Sequence, residues 1–265
     1  MVRMARDFLE RKGVEAARLE AELLVAHALG LDRLKLFLQL DRPVTGSEVD
    51  RARDLLVRRG RREPTAYIVG SREFYGRPFK IGPGVLIPRP ETELLVDRAR
   101  EIAPRRIADL GAGSGCIAVT LALEIEGSDV TAIERSGEAL AFARANAEAL
   151  GASVGFVEGD FLEALDREKA PFDLLVSNPP YVDPKDRATL APEVSDHEPA
   201  AALFAPAGDP DFWVRTLLER APTWLAPGGT LLVELGLGQA ERLRESGARF
   251  HRDLAGIERV LEAKR

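Results

Sequence analysis

Between Arg106 and Leu123 a short apolar segment runs into three closely spaced glycines and out again into an apolar stretch free of glycine and proline. Arg106-Ile107-Ala108-Asp109-Leu110 has the length and apolar content of a buried strand. Gly111-Ala112-Gly113-Ser114-Gly115 is a turn, and Cys116 to Leu123 reads as a helix. A strand, a glycine turn and a helix in succession point to a parallel sheet of an open α/β fold, whose carboxyl edge binds ligands. The expected fold class is α/β. Glycines at such a turn let the backbone approach a ligand closely and offer amide N–H groups at a helix start.

The spacing narrows the ligand. A dinucleotide-binding turn has the pattern G-x-G-x-x-G, whereas here the third glycine comes one residue early. G-x-G-x-G is the version associated with S-adenosyl-L-methionine, and a hydride-transferring dehydrogenase is disfavoured on that spacing. The next strand, Asp129 to Ile133, ends in Glu134, about 20 residues beyond the turn, where a carboxylate accepts from ribose hydroxyls. A third, Val154 to Val157, runs into Glu158-Gly159-Asp160-Phe161. Asp160 can take an adenine amino group and Phe161 can stack on the ring. A single carboxylate is more often a solvated loop charge. Recurrence at successive strand ends, where open α/β sheets bind ligands, is what singles these out. Between them a helix is expected from Ser136 as N-cap to Leu150, stopped by Gly151.

A fourth strand, Phe172 to Ser177, delivers Asn178-Pro179-Pro180-Tyr181 to the same edge. The tetrapeptide suits a planar NH₂ group. Such a nitrogen has its lone pair delocalised and attacks poorly unless it is drawn toward tetrahedral geometry by fixed acceptors. The side-chain oxygen of Asn178 and the carbonyl of Pro179 are such acceptors, and Pro180 has no N–H to compete for that carbonyl. Two consecutive prolines hold both acceptors in place beforehand, and Tyr181 is positioned to cover the flat face of the target. The alternative, a rigid turn leaving a strand, loses ground once the glycine turn is considered with it.

With these motifs the chain resembles the HemK/PrmC family of class I methyltransferases. The resemblance extends to Tyr67-Ile68-Val69-Gly70, Phe74-Tyr75-Gly76, Leu86-Ile87-Pro88-Arg89-Pro90-Glu91-Thr92-Glu93, Glu198-Pro199, Glu234-Leu235-Gly236 with Gln239, and Asp253 to Arg259. It implies a Rossmann-like, mostly parallel seven-stranded sheet with a small N-terminal helical bundle. It implies methyl transfer from S-adenosyl-L-methionine, leaving S-adenosyl-L-homocysteine, to the glutamine of the Gly-Gly-Gln motif in class-1 peptide chain release factors. Gly111, Ala112, Gly113, Ser114, Gly115, Glu134, Asp160, Phe161 and Asn178 are then expected to line the cofactor, and Asn178, Pro179, Pro180, Tyr181 and Arg89 to meet the substrate. The implied chemistry is direct in-line transfer with no metal and no covalent enzyme intermediate. Glu134 stands where the family usually has Asp, His197 where it has an aromatic, and the Phe204 to Gly208 turn has one glycine fewer. Related readings remain open: a glutamine of ribosomal protein L3, an exocyclic adenine amino group in nucleic acid, or a non-catalytic adenosylmethionine-binding protein.

Composition supports an enzyme core without metal or membrane. With 265 residues, 45% of them hydrophobic, the chain can fill an α/β domain and a small second one. No apolar run is long enough to span a membrane, the start lacks a signal-peptide core, and one cysteine allows no disulfide within the chain; a cytoplasmic protein is expected. Cys116 is expected to pack, and three scattered histidines offer no metal site. A net charge of −6 argues against nucleic acid as an autonomous partner. Helices are expected over Val2–Lys12, Val14–Leu29, Asp32–Leu40 and Glu48–Arg62, with a capping box at Thr45 and Glu48 and an interior stripe of Ala16, Leu19, Leu23 and Ala26. The domain reading is residues 1–70 as a helical substrate-recognition domain, 71–88 as a hairpin linker, and 89–265 as the methyltransferase domain. The first 70 residues carry 14 basic against 11 acidic side chains. In them the cluster Arg58, Arg59, Arg61 and Arg62 is the candidate for docking an acidic protein surface.

Overall fold

The structure, a computed structural model, describes residues 1–39, 41–167 and 171–265. The chain forms two compact units. One comprises Met1–Ser71 with Ala191–His197, and the other Arg72–Leu190 with Glu198–Arg265. The expected hairpin linker, from Arg72 on, therefore belongs to the larger unit. A seven-residue excursion, which a contiguous boundary does not describe, is grouped with the helical one.

The helical unit contains α1 (Val2–Arg11), α2 (Ala17–Ala28), α3 (Arg33–Leu38), α4 (Gly46–Gly60) and α5 (Thr65–Val69). The end expected for the third helix, Leu40, lies outside the described residues. The Thr45–Glu48 capping box is formed in full and satisfies two otherwise orphaned N–H groups at the start of α4. On α2 the buried residues are Ala17, Ala21, Leu24, Val25, Ala26 and Ala28, while Ala16 is exposed, Leu19 is 42% exposed and Leu23 is only half-buried. Of the expected stripe Ala26 is buried, and Ala16, Leu19 and Leu23 lie beside the buried face. Both series have helical spacing, so periodicity alone cannot choose between them. The one rich in alanine lets neighbouring helices approach closely, and it is the one buried.

The arginine cluster is also corrected. Arg59 is 2% exposed and lies between the carboxylates of Glu20 and Glu193, and Arg62 joins Glu193 at 2.6 Å. Arg58 pairs with Glu63. Of the four, Arg58 and Arg61 are exposed, Arg58 as half of an ion pair. A cation buried so completely holds its own unit together and is not available to a partner.

The larger unit opens on a hairpin of β1 (Ser71–Phe74) and β2 (Arg77–Lys80), whose turn residues Tyr75 and Gly76 both have positive φ, 52° and 70°, the conformation of a two-residue hairpin loop. The remaining strands are β3 (Arg106–Leu110), β4 (Asp129–Glu134), β5 (Gly155–Glu158), β6 (Phe172–Ser177), β7 (Leu225–Glu234), β8 (Arg249–Arg252) and β9 (Glu258–Lys264). They form a seven-stranded sheet in the order β5-β4-β3-β6-β7-β9-β8. Pairing is parallel from β5 to β7 and antiparallel at β9 and β8.

Helices α6 (Glu93–Ile102), α7 (Cys116–Glu124) and α8 (Gly137–Leu150) cover one face, and α9 (Phe161–Arg167) with the helix Phe212–Trp224 the other. Alternation along the strands feeds both cores. Ile107, Leu174, Val176 and Leu232 join the first, while Ala108, Leu110, Leu175, Leu231 and Val233 join the second. Burial on both faces is why these strands read as continuous apolar runs. Among the described residues no helix is long and apolar enough to cross a membrane.

Candidate active site

The chain runs outward from β3 to β5 and then returns to β6 on the other side of β3. That reversal opens a crevice at the carboxyl ends of β3 and β6, where open α/β sheets bind ligands. Leu110 pairs with Ser177, and the Ser177 hydroxyl donates to the Leu110 carbonyl at 2.8 Å. The residues that follow, Gly111 and Asn178, therefore enter the crevice from adjacent strands. A cavity of about 410 Å³ lies there, within the range of small-molecule sites.

Its lining includes Gly111, Ala112, Gly113, Ser114, Glu134, Asp160, Phe161, Asn178, Pro179, Pro180 and Arg89. Two expected members stand apart. Gly115 does not line the cavity: a Cβ there would stand 2.9 Å from the Cβ of Ala143, so this glycine, at φ +76°, serves close packing of α7 on α8. Tyr181 is packed against Gly236, where an added Cβ would stand 2.6 Å from its ring. It is not among the residues that line the cavity, and burial pushes its hydroxyl up to about 12.

The glycine turn is held by carboxylates from both sides. Glu134 accepts from the amides of Gly113 and Ser136, each at 2.9 Å, which fixes the turn against the end of β4. Asp109 is fully buried and accepts from the Ala118 amide at 3.0 Å, serving one of the orphan N–H groups that Gly115, with no side chain, cannot cap. Burial pushes the Asp109 carboxyl up to about 7, against the pull of that amide. The Cys116 thiol is likewise raised by burial to about 12, which makes it a packing group and not a nucleophile.

On the other side, Asp160 accepts from the Leu162 amide at 2.9 Å and Phe161 packs against Trp213 with ring centroids 5.1 Å apart. Trp213 lines the cavity, and its indole N–H is buried without a partner among the described residues. Nothing local in the sequence singles it out, because it arrives from the helix Phe212–Trp224, far along the chain.

Thr92 supports the tetrapeptide, and two buried carboxylates, Glu198 and Glu234, belong to the same unit. Asn178 donates from Nδ2 to the Thr92 hydroxyl at 3.2 Å. Glu198 is buried, accepts from the Ile87 amide at 3.0 Å and pairs with Arg89. Arg89 thus reaches the cavity wall as half of an ion pair. Glu234 is 2% exposed near Thr92, and burial pushes its carboxyl up to about 7, while the Thr92 hydroxyl and Arg259 oppose the rise. In the sequence Thr92, Glu198 and Glu234 are letters within motifs, with no local pattern that assigns them a task.

The geometry has known counterparts. Residues 1–70 match the PrmC N-terminal domain, and residues 90–198 match the methyltransferase small domain. A release factor glutamine methyltransferase of Geobacter sulfurreducens is 48% identical over 89% of this chain and 83% of its own length. One from Chlorobaculum tepidum is 44% identical over 89% and 84%. In fold, a methyltransferase from Pyrococcus furiosus superposes with a TM-score of 0.54 at 19% identity, covering 72% of this chain and 90% of that one. The identity to the first two extends across both units: this chain belongs to the release factor glutamine methyltransferase family.

Proposed function

We propose that the chain transfers a methyl group from S-adenosyl-L-methionine to the side-chain amide nitrogen of the glutamine in the Gly-Gly-Gln motif of class-1 peptide chain release factors. The observation that carries this reading is the convergence of the glycine turn after β3 and Asn178-Pro179 after β6 on one cavity. One end suits a nucleoside cofactor and the other an amide.

The residues present fit that cofactor. Gly111 and Gly113 have positive φ and open space where a side chain would stand. The Glu134 carboxylate keeps lone pairs for ribose hydroxyls beyond its two backbone bonds. Phe161 and Trp213 offer ring faces, and the unpartnered Trp213 N–H offers a donor. When bound, S-adenosyl-L-methionine supplies a methyl group already activated on a sulfonium centre.

What the chain contributes is orientation. The side-chain oxygen of Asn178 and the carbonyl of Pro179 accept the two N–H bonds of the glutamine amide and turn its lone pair toward the methyl donor. The rigidity of Pro179-Pro180 means that these acceptors need no reorganisation at the moment of reaction. A strong base is not needed, since the nitrogen becomes acidic once methylated and can release its proton afterwards. The helical unit, which matches the PrmC N-terminal domain, is assigned recognition of the release factor.

The test is intact-mass and peptide mapping after incubation with S-adenosyl-L-methionine and an unmethylated class-1 release factor, with ribosomal protein L3 and DNA offered in parallel. One methyl on the Gly-Gly-Gln glutamine is the expected result, and Asn178→Ala abolishes it while cofactor affinity is kept. Methylation of L3 or adenine alone would overturn the assigned substrate.

A further inference from the structure

Gly236 stands two residues beyond the end of β7, and the ring of Tyr181 lies directly over it. A Cβ added there would stand 2.6 Å from Cδ2, 3.1 Å from Cε2 and 3.2 Å from Cγ of that ring. The ring thus rests on the main chain of Gly236, which is the seat on which the tetrapeptide ends. Pro179 and Pro180 lock the φ angles between Asn178 and Tyr181. Where the ring rests therefore helps to set where the Asn178 oxygen and the Pro179 carbonyl stand.

What holds the seat is Gln239. Gly236 is buried, and its N–H donates to Oε1 of Gln239 at 2.6 Å, while its carbonyl accepts from the main-chain N–H of Gln239 at 3.3 Å. Both polar groups of the Gly236 backbone are taken by one residue. Gln239 is 1% exposed, and its Nε2 donates to the Pro210 carbonyl at 2.8 Å and to Oδ1 of Asp211 at 3.0 Å. These partners decide which end of the amide is which, since an N–H requires an acceptor and a carbonyl and a carboxylate require donors. Asp211 is itself held by Arg242 through Nε and Nη2, each at 2.7 Å. With both ends fixed, the Gln239 side chain has no freedom to swing away. A buried amide is costly unless its hydrogen bonds are made, and what this one adds over an apolar residue is its grip on the seat.

We propose that Gln239 is a positioning residue that holds Gly236 as the seat of Tyr181 and so sets the Asn178 and Pro179 acceptors for the glutamine amide. The proposal rests on the functional reading above. Gln239 lies outside the cavity lining and acts through Gly236 and Tyr181.

The experiment is a double-mutant cycle in methylation of a release factor, comparing Gln239→Met, Tyr181→Ala and the two together with the parent chain. kcat is read at saturating S-adenosyl-L-methionine and release factor, below every variant's melting transition, so that folded fraction and cofactor affinity do not enter. Gln239→Met keeps the length and strands the Gly236 N–H. Its kcat should fall about 10- to 100-fold, the scale set by displacing a reacting group by up to about 1 Å. KM for the release factor should stay within about 3-fold, because Gln239 touches no substrate. Without the ring the seat has nothing to hold, so Gln239→Met should cost less than about 3-fold in kcat on top of Tyr181→Ala. Gln239→Ala leaves room for water at the Gly236 N–H and is the milder lesion for folding; it goes through the same cycle and should show the same coupling. A residue that serves stability alone would lower the melting temperature in both backgrounds and leave kcat unchanged in both.

Turnover of the Gln239 variants equal to the parent, or equal losses of kcat with and without the Tyr181 ring, would overturn the inference and leave the functional reading standing. A parent chain that leaves the glutamine unmethylated would overturn that reading and this inference together.

Discussion

Replacing Gly115 and Gly113 in turn by alanine separates the glycine that packs from the glycine that faces the ligand. Both have positive φ, +76° and +55°, so an alanine at either carries a left-handed strain of roughly 1–2 kcal/mol. At Gly115 the new methyl would also stand 2.9 Å from the Cβ and 3.1 Å from the Cα of Ala143. Neither atom can swing aside, because one is backbone and the other is fixed to it, so α7 and α8 must part at a further cost of about 1–3 kcal/mol. At Gly113 nothing lies within 4 Å of the new methyl, and no packing term is added.

Gly115→Ala should therefore be the less stable of the two by about 1–3 kcal/mol, a shift of roughly 0.3–1 M in urea midpoint. The assay is urea unfolding followed by tryptophan fluorescence, which reports the larger unit because both tryptophans, Trp213 and Trp224, lie in it. Ligand affinity should reverse the order. Gly113→Ala places a methyl in the cavity and should weaken S-adenosyl-L-homocysteine binding more than Gly115→Ala does in its folded fraction. Equal midpoints for the two variants would refute the assignment of Gly115 to packing.

Asp109 gives a test by pH. Its carboxyl is raised to about 7 in the folded chain from 3.8, so between about pH 4 and 7 the folded state holds a proton that the unfolded state has released. Stability should fall as pH rises through that window and level off above it, and Asp109→Asn should flatten urea midpoints measured across it, by an amount on the order of 4 kcal/mol. In the helical unit, Arg59→Ala should cost about 3–5 kcal/mol by leaving Glu20 without its cation, while Glu193 keeps Arg62, seen as loss of helical circular dichroism on heating, whereas Arg61→Glu should change it little. Gly236→Ala would put a methyl 2.6 Å from the Tyr181 ring. It should lower methyl transfer and cost about 1–3 kcal/mol, and undiminished turnover would show that the placement of Tyr181 is immaterial.

What the sequence by itself determined is local and periodic. The strand over 106–110, the glycine turn, the helix stopped at Gly151, the capping box at Thr45 and the strand that ends before Asn178 are each written within a dozen or so residues, because backbone geometry and alternation of burial act at that range. The tetrapeptide and the turn could even be placed on one sheet edge, since parallel strands share a carboxyl end.

Tertiary structure decided the rest. Period alone allowed two stripes on α2, and only the helices packed against it chose the one with Ala17 and Ala21. Arg59 reads as a surface charge until Glu20 and Glu193 are brought to it from 39 and 134 residues away. Gly113 and Gly115 are equivalent in a motif, yet one borders open space and the other α8. A neighbour's charge, shape and hydrogen-bonding capacity define each of these roles, and neighbours distant in the chain are fixed by packing and not by spacing.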